Sequence, residues 1–143
     1  MPRVLIADDN VQNAELLEAY LDGTGYDTKL AANGDETLQL AREWKPDVIL
    51  LDIMMPKLSG FEVCKKLRAD AATRDIGVLM VTALDQPNDI ERAIEAGTDD
   101  FMTKPIHKSE LLLRTRALVE SRGEVTELDR GLGYFRRAIQ HGA

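Results

Sequence analysis

Five polar residues far apart in the chain carry the groups that phosphoryl chemistry requires: Asp8, Asp9, Asp52, Thr82 and Lys104. Each closes a short apolar run. Asp8-Asp9 follows Val4-Leu5-Ile6-Ala7, Asp52 follows Val48-Ile49-Leu50-Leu51, Thr82 follows Val78-Leu79-Met80-Val81, and Lys104 follows Phe101-Met102-Thr103. Carboxylates brought together repel and raise one another's pKa unless a cation lies among them. Their hard oxygens suit Mg2+, which keeps several waters and completes its shell with a phosphate oxygen. Lys104 adds positive charge for a transferred phosphoryl group, and the Thr82 hydroxyl adds a hydrogen-bond donor.

Taken singly, each residue has a plainer account. Asp8-Asp9-Asn10 would cap a following helix, Asp52 ahead of Met54-Met55-Pro56 would open a turn, Thr82 would bond to backbone, and Lys104 would lie in solvent. The coincidence of all of them at strand ends is what carries a functional meaning.

The elements that must position these groups follow from the hydrophobic pattern. The runs at 4–7, 48–51 and 78–81 are continuous rather than alternating. A strand covered on both faces needs no polar side, so these suit the centre of a parallel sheet. Helical periodicity fills the intervals. Leu16, Leu17, Tyr20 and Leu21 line a face near 11–22; Leu38, Leu40 and Ala41 mark another near 35–44; Phe61, Cys64 and Leu67 mark a third; two more lie near 87–96 and 108–121. Weaker strands at Thr28-Lys29-Leu30-Ala31 and Phe101-Met102-Thr103 are expected at the sheet edges, and Gly23, Gly25 and Gly97 follow helical stretches as stop signals. The pattern predicts an α/β fold, a flavodoxin-like doubly wound five-stranded parallel sheet in the order 2-1-3-4-5. In such sheets the ligand crevice lies outside the carboxyl ends of the strands, where the five polar residues would meet.

Composition narrows the function classes. A chain of 143 residues with 44% hydrophobic residues supports one core, and a net charge of -7 argues against nucleic acid as a direct partner. The single Cys64 fits a reducing compartment and reads as a packed hydrophobe. No apolar run approaches membrane-spanning length, so a cytoplasmic location is expected. His107 and His141 are expected to face solvent, and Met54, Met55, Met80 and Met102 to fill core or loop. Neither G-x-x-x-x-G-K-[ST] nor G-x-G-x-x-G occurs, so no nucleotide site is specified.

With those residues in hand, the sequence resembles the receiver domain of bacterial response regulators, the CheY-like family, from about Val4 to about Val119. The carrying motifs are Ala7-Asp8-Asp9-Asn10, Leu51-Asp52-Ile53-Met54-Met55-Pro56 with Gly60-Phe61-Glu62, Val81-Thr82-Ala83, and Gly97-Thr98-Asp99-Asp100-Phe101-Met102-Thr103-Lys104-Pro105. The resemblance implies a two-component phosphorelay protein, not an enzyme. Asp52 would accept a phosphoryl group from a sensor histidine kinase or phosphotransfer protein. It implies Mg2+ held by Asp9, Asp52 and the Met54 backbone carbonyl, with Asp8 assisting through water. Lys104 would contact the phosphoryl group, Thr82 and Phe101 would act as the switch, and the Lys104-Pro105 peptide would be cis. The responding surface would run from about Pro87 to Ser121. Thr98 stands where alanine is common, and Met54 and Leu84 are apolar at places that influence water access to the aspartyl phosphate.

Two other classes are compatible with parts of the pattern. A phosphatase of the haloacid dehalogenase type also forms an aspartyl phosphate, but its D-x-D is here Asp52-Ile53-Met54, without the second carboxylate. A phosphorylation-independent interaction module would not need the intact acid, threonine and lysine set.

The expected domain plan is a receiver over 1–121 and a helical tail or linker over 122–143. Leu111, Leu118, Val125, Leu132 and Ile139 recur every seven residues, with Leu128 and Phe135 between them. Such a seam would let the last helix and tail pair with a second copy, whereas Gly123, Gly131 and Gly133 oppose a continuous helix. A homodimer and a linker packed on its own domain both fit.

Overall fold

The computed structural model describes residues 1–84 and 86–121. Strands β1 (Arg3–Ala7), β2 (Asp27–Ala31), β3 (Val48–Leu51), β4 (Gly77–Thr82) and β5 (Asp100–Thr103) alternate with helices α1 (Val11–Leu21), α2 (Gly34–Glu43), α3 (Gly60–Ala69), α4 (Pro87–Ala96) and α5 (Lys108–Glu120). All strand pairs are parallel and the sheet order is β2-β1-β3-β4-β5, as the apolar pattern predicts. The two weaker strands are its edges.

The continuous apolar runs are explained by a core on each side of the sheet. Leu5, Ile49, Leu51, Val78 and Met80 face α2, α3 and α4, whereas Val4, Ile6, Val48, Leu50, Leu79 and Val81 face α1 and α5. Successive residues in a strand point to opposite faces, so a strand packed on both sides is apolar at every position. In α1 the buried stripe is Ala14, Leu17 and Leu21, while Leu16 is 47% exposed. The expected face is corrected accordingly: at 100° per residue Leu16 and Leu17 diverge, and the stripe that meets the sheet follows the i, i+3, i+7 spacing.

Helix ends are set locally. Asn10 caps α1 by accepting from the Asn13 N–H, Asn33 caps α2 by accepting from Glu36, and Ser59 and Glu62 close a reciprocal capping box on α3. Gly97 ends α4 with φ of 96°, a left-handed conformation that a Cβ disfavours. At α1 the stop is shared, since Asp22 closes the helix in an extended conformation and the positive φ of 82° falls on Gly23. The heptad positions Val125, Leu128, Leu132, Phe135 and Ile139, and His141, lie outside the described residues.

One buried group departs from this economy of polar atoms. Among the described residues, the Thr115 hydroxyl is buried within α5 without a hydrogen-bond partner, whereas Thr37, Thr73 and Ser121 each donate to a backbone carbonyl. An unpaired buried hydroxyl costs roughly 1–3 kcal/mol. Thr115→Val keeps the shape and removes the polar atom, and is expected to raise the unfolding free energy by about 1 kcal/mol in urea titration.

Candidate functional site

The carboxyl ends of β1, β3, β4 and β5 lie side by side, so the chain turns that follow them share one rim. Ladder bonds continue past the strands: Asp52 N–H donates to the Ala7 carbonyl at 2.9 Å and Lys104 N–H to the Thr82 carbonyl at 2.8 Å. Through this register Asp8, Asp9 and Asp52 place carboxylate oxygens within 4.8 Å of one another. Asp8 and Asp52 are buried and Asp9 is exposed, so the cluster opens to solvent on one side. The Lys104 ammonium reaches across, 3.3 Å from Asp8 Oδ2 and 3.6 Å from Asp52 Oδ2.

Burial, more than any other influence, raises the Asp52 carboxyl above its ordinary value. The Lys104 charge pulls it down, Asp8 pushes it up, the Met54 N–H lowers it by donating to Oδ1, and Asp9 adds a smaller upward push. A carboxylate that is partly desolvated and flanked by two others is held in place by the fold and gains from any cation that enters. The donor set, all oxygen, acidic and open on one side, fits a Mg2+ ion that keeps part of its water shell.

The sequence matches the family model described as Response regulator receiver domain over residues 4–116. The chain belongs to this family. It is 45% identical over 119 residues to the DNA-binding dual master transcriptional regulator RpaA of Synechocystis sp., the match taking in 83% of this chain and 49% of RpaA. Response regulator PleD of Caulobacter vibrioides is 43% identical over 126 residues, which are 88% of this chain and 28% of PleD. The signal receiver domain of a signal transduction histidine kinase from Syntrophus aciditrophicus aligns with a TM-score of 0.80 at 32% identity, covering 88% of this chain and 96% of that one. The chain thus spans about half the length of RpaA and a smaller share of PleD.

Thr82 is fully buried at the end of β4, and its Oγ1 accepts from the Leu84 N–H at 3.3 Å. Phe101 and Leu84 are half-buried against the core on the α3 and α4 side. The Lys104-Pro105 peptide is cis. Met54 is 58% exposed, which makes it loop rather than core, whereas Met55, Met80 and Met102 are buried. His107 is exposed at the start of α5, away from any role in the cluster. Among the described residues, no helix is long and apolar enough to cross a membrane.

Two contributors were not legible from residue chemistry. Gly60 opens α3 with its N–H on the Ile53 carbonyl, and a Cβ there would collide with the Asp52 carbonyl and come within 2.7 Å of the Ile53 Cα. Its presence lets α3 start directly behind the acid-bearing loop. The Leu84 N–H, a backbone group without sequence identity, is what holds the Thr82 hydroxyl.

Because the Asp52 pKa is raised in the folded chain, the folded state binds its proton more readily than the unfolded one, and stability falls as pH climbs from the ordinary carboxylate range through the raised value. At neutral pH without divalent cations, Asp52→Asn is therefore expected to raise the melting temperature. Adding Mg2+ is expected to stabilise the native chain, by about 2.7 kcal/mol at roughly 100 times Kd, and the Asn variant distinctly less. Calorimetry of both proteins with and without Mg2+ checks both signs.

Proposed function

We propose that Asp52 is the phosphoacceptor of a two-component relay, taking its phosphoryl group from a phosphohistidine on a sensor kinase or phosphotransfer protein. The observation that carries this is the Lys104 ammonium standing 3.3 Å from Asp8 and 3.6 Å from Asp52 at the mouth of the acid cluster. A cation so placed is ready for a phosphoryl group on Asp52 before one arrives, and it balances charge in its absence. An Asp52 oxygen attacks phosphorus; the N–P bond breaks with its electron pair returning to the imidazole; the new O–P bond makes an acyl phosphate. Asp9, Asp52 and the Met54 carbonyl, with Asp8 through water, would hold Mg2+, which supplies neutralisation of the phosphoryl oxygens when bound.

The response follows from hydrogen-bond exchange. Phosphorylation adds about -1.5 to -2 charge and three acceptor oxygens. The Thr82 hydroxyl, now an acceptor for the Leu84 N–H, turns to donate to one of them, and Phe101 swings into the space that opens. The surface from Pro87 to Ser121 then presents the change to a partner, with a second copy joined through the last helix and tail as one form of output. We take residues 1–121 as the receiver and 122–143 as tail or linker, in the cytoplasm, with no turnover of substrate. DNA binding, which belongs to RpaA by name, is not placed on residues 1–121.

Incubation with acetyl phosphate and Mg2+ is expected to add one phosphoryl mass to the chain and none to Asp52→Asn. Lys104→Met is expected to slow labelling by about 10-fold or more, the worth of a charge-assisted contact. Repeated release of phosphate from a simple phosphomonoester would identify a phosphatase instead. Met54, apolar and exposed beside Asp52, offers no amide to orient a water on the acyl phosphate. Met54→Asn is expected to shorten its lifetime, and equal decay rates would overturn that assignment.

A further inference from the structure

Helix α4 buries only Ala93 and Ala96 and leaves Ile94 66% exposed, so little apolar packing holds it to the domain. Two arginine contacts tie it to α3 instead, and they are unequal. At the C-terminal end of α4, the Arg68 guanidinium of α3 donates to the Gly97 carbonyl at 2.8 Å, to the Arg74 and Ile76 carbonyls at 2.8 and 2.6 Å, and to Asp99 Oδ2 at 2.8 Å. Asp99 in turn accepts from the Val78 N–H of β4 at 2.7 Å. With its side chain only 12% exposed, Arg68 knots together α3, the start of β4 and the α4–β5 turn. Gly97 is shaped to it, since a Cβ there would come within 2.8 Å of the Arg68 side chain.

Just past the middle of α4, five residues before Gly97, the contact is of another kind. The Arg92 guanidinium lies over the Phe61 ring at 4.2 Å from its centroid, on an exposed side chain. An exposed cation–π contact is weak and breaks without leaving a buried group unpaired. Phe61 and Arg68 are seven residues apart on α3, two turns along one face, so the weak and the strong contact bracket the α3–α4 seam. Phe61 also directly follows Gly60, which abuts the Asp52 backbone.

We propose that α4 is hung from α3 on a hinge and a latch: it pivots about the Arg68 knot at Gly97 when the Arg92–Phe61 stack releases. This rests on Thr82 answering phosphorylation of Asp52. When the Thr82 hydroxyl leaves the Leu84 N–H, the turn leading into α4 loses a tie, and the end of the helix nearest that turn moves while the Gly97 end stays fixed. The device limits the motion to a rotation and keeps β5 in register, because Asp99 is held by the same guanidinium.

Hydrogen exchange on the full chain, with and without acetyl phosphate and Mg2+, tests this, with phosphoryl incorporation measured on the same samples. Phosphorylation is expected to speed exchange at amides 88–92 by about two- to fivefold, the worth of one exposed cation–π contact, and to leave Gly97, Thr98 and Asp99 unchanged. Arg92→Ala is expected to give the fast pattern without phosphorylation at undiminished labelling, and Arg92→Lys, which keeps the cation, to restore the slow one. Arg68→Met extends fast exchange to Gly97–Asp99; should that variant fail to fold, the gradient in the native chain decides alone. Equal change along the whole of α4 in labelled native protein, or no effect of Arg92→Ala, overturns the hinge and latch while leaving the phosphoacceptor in place. Failure to label overturns the phosphoacceptor and with it the trigger.

Discussion

Holding like charges close together at the edge of a sheet is the constraint on which this domain depends. Asp8, Asp9 and Asp52 repel one another, and burial of Asp52 adds to the cost. What keeps them there is that β1 and β3 are neighbouring central strands, sealed on both faces, whose ladder continues into the acid-bearing turn through the Asp52 N–H and Ala7 carbonyl. Lys104 offsets part of the repulsion from β5, two strands away from β3, because β4 carries the same register outward. A site assembled this way is strained electrostatically and rigid geometrically, and it suits the role proposed for Asp52.

The two faces of the sheet divide the remaining work. On one, α1 and α5 cover one alternate set of the strand residues with Leu17, Leu21, Leu111 and Leu118, all buried. On the other, α3 packs Val63, Cys64 and Leu67 into the core and starts against the acid loop at Gly60, while α4 contributes two alanines. Thr82 sits where β4 leads from the rim toward that lightly packed helix. In the proposed switch, change at the rim would reach a helix that few buried apolar side chains hold in place.

Much was legible in advance because burial on both faces imposes a pattern on sequence. The runs at 4–7, 48–51 and 78–81 are apolar at every position since both sides of each strand meet helices, and their order fixes which turns share a rim. Within helices the same logic was less sharp: Leu16 and Leu17 looked equivalent until the sheet selected Leu17 and left Leu16 half in solvent.

Sequence alone thus determined the strand positions, the sheet order, and the residues that would stand at the carboxyl ends, because two-sided burial and helical period are local, repeating signals. Tertiary structure alone decided that Lys104 reaches both Asp8 and Asp52, that Gly60 must lack a side chain, that the Leu84 N–H holds Thr82, and that Arg68 and Arg92 tie α4 to α3. Those are contacts between segments brought together by the sheet, and no periodicity along the chain encodes a distance across it.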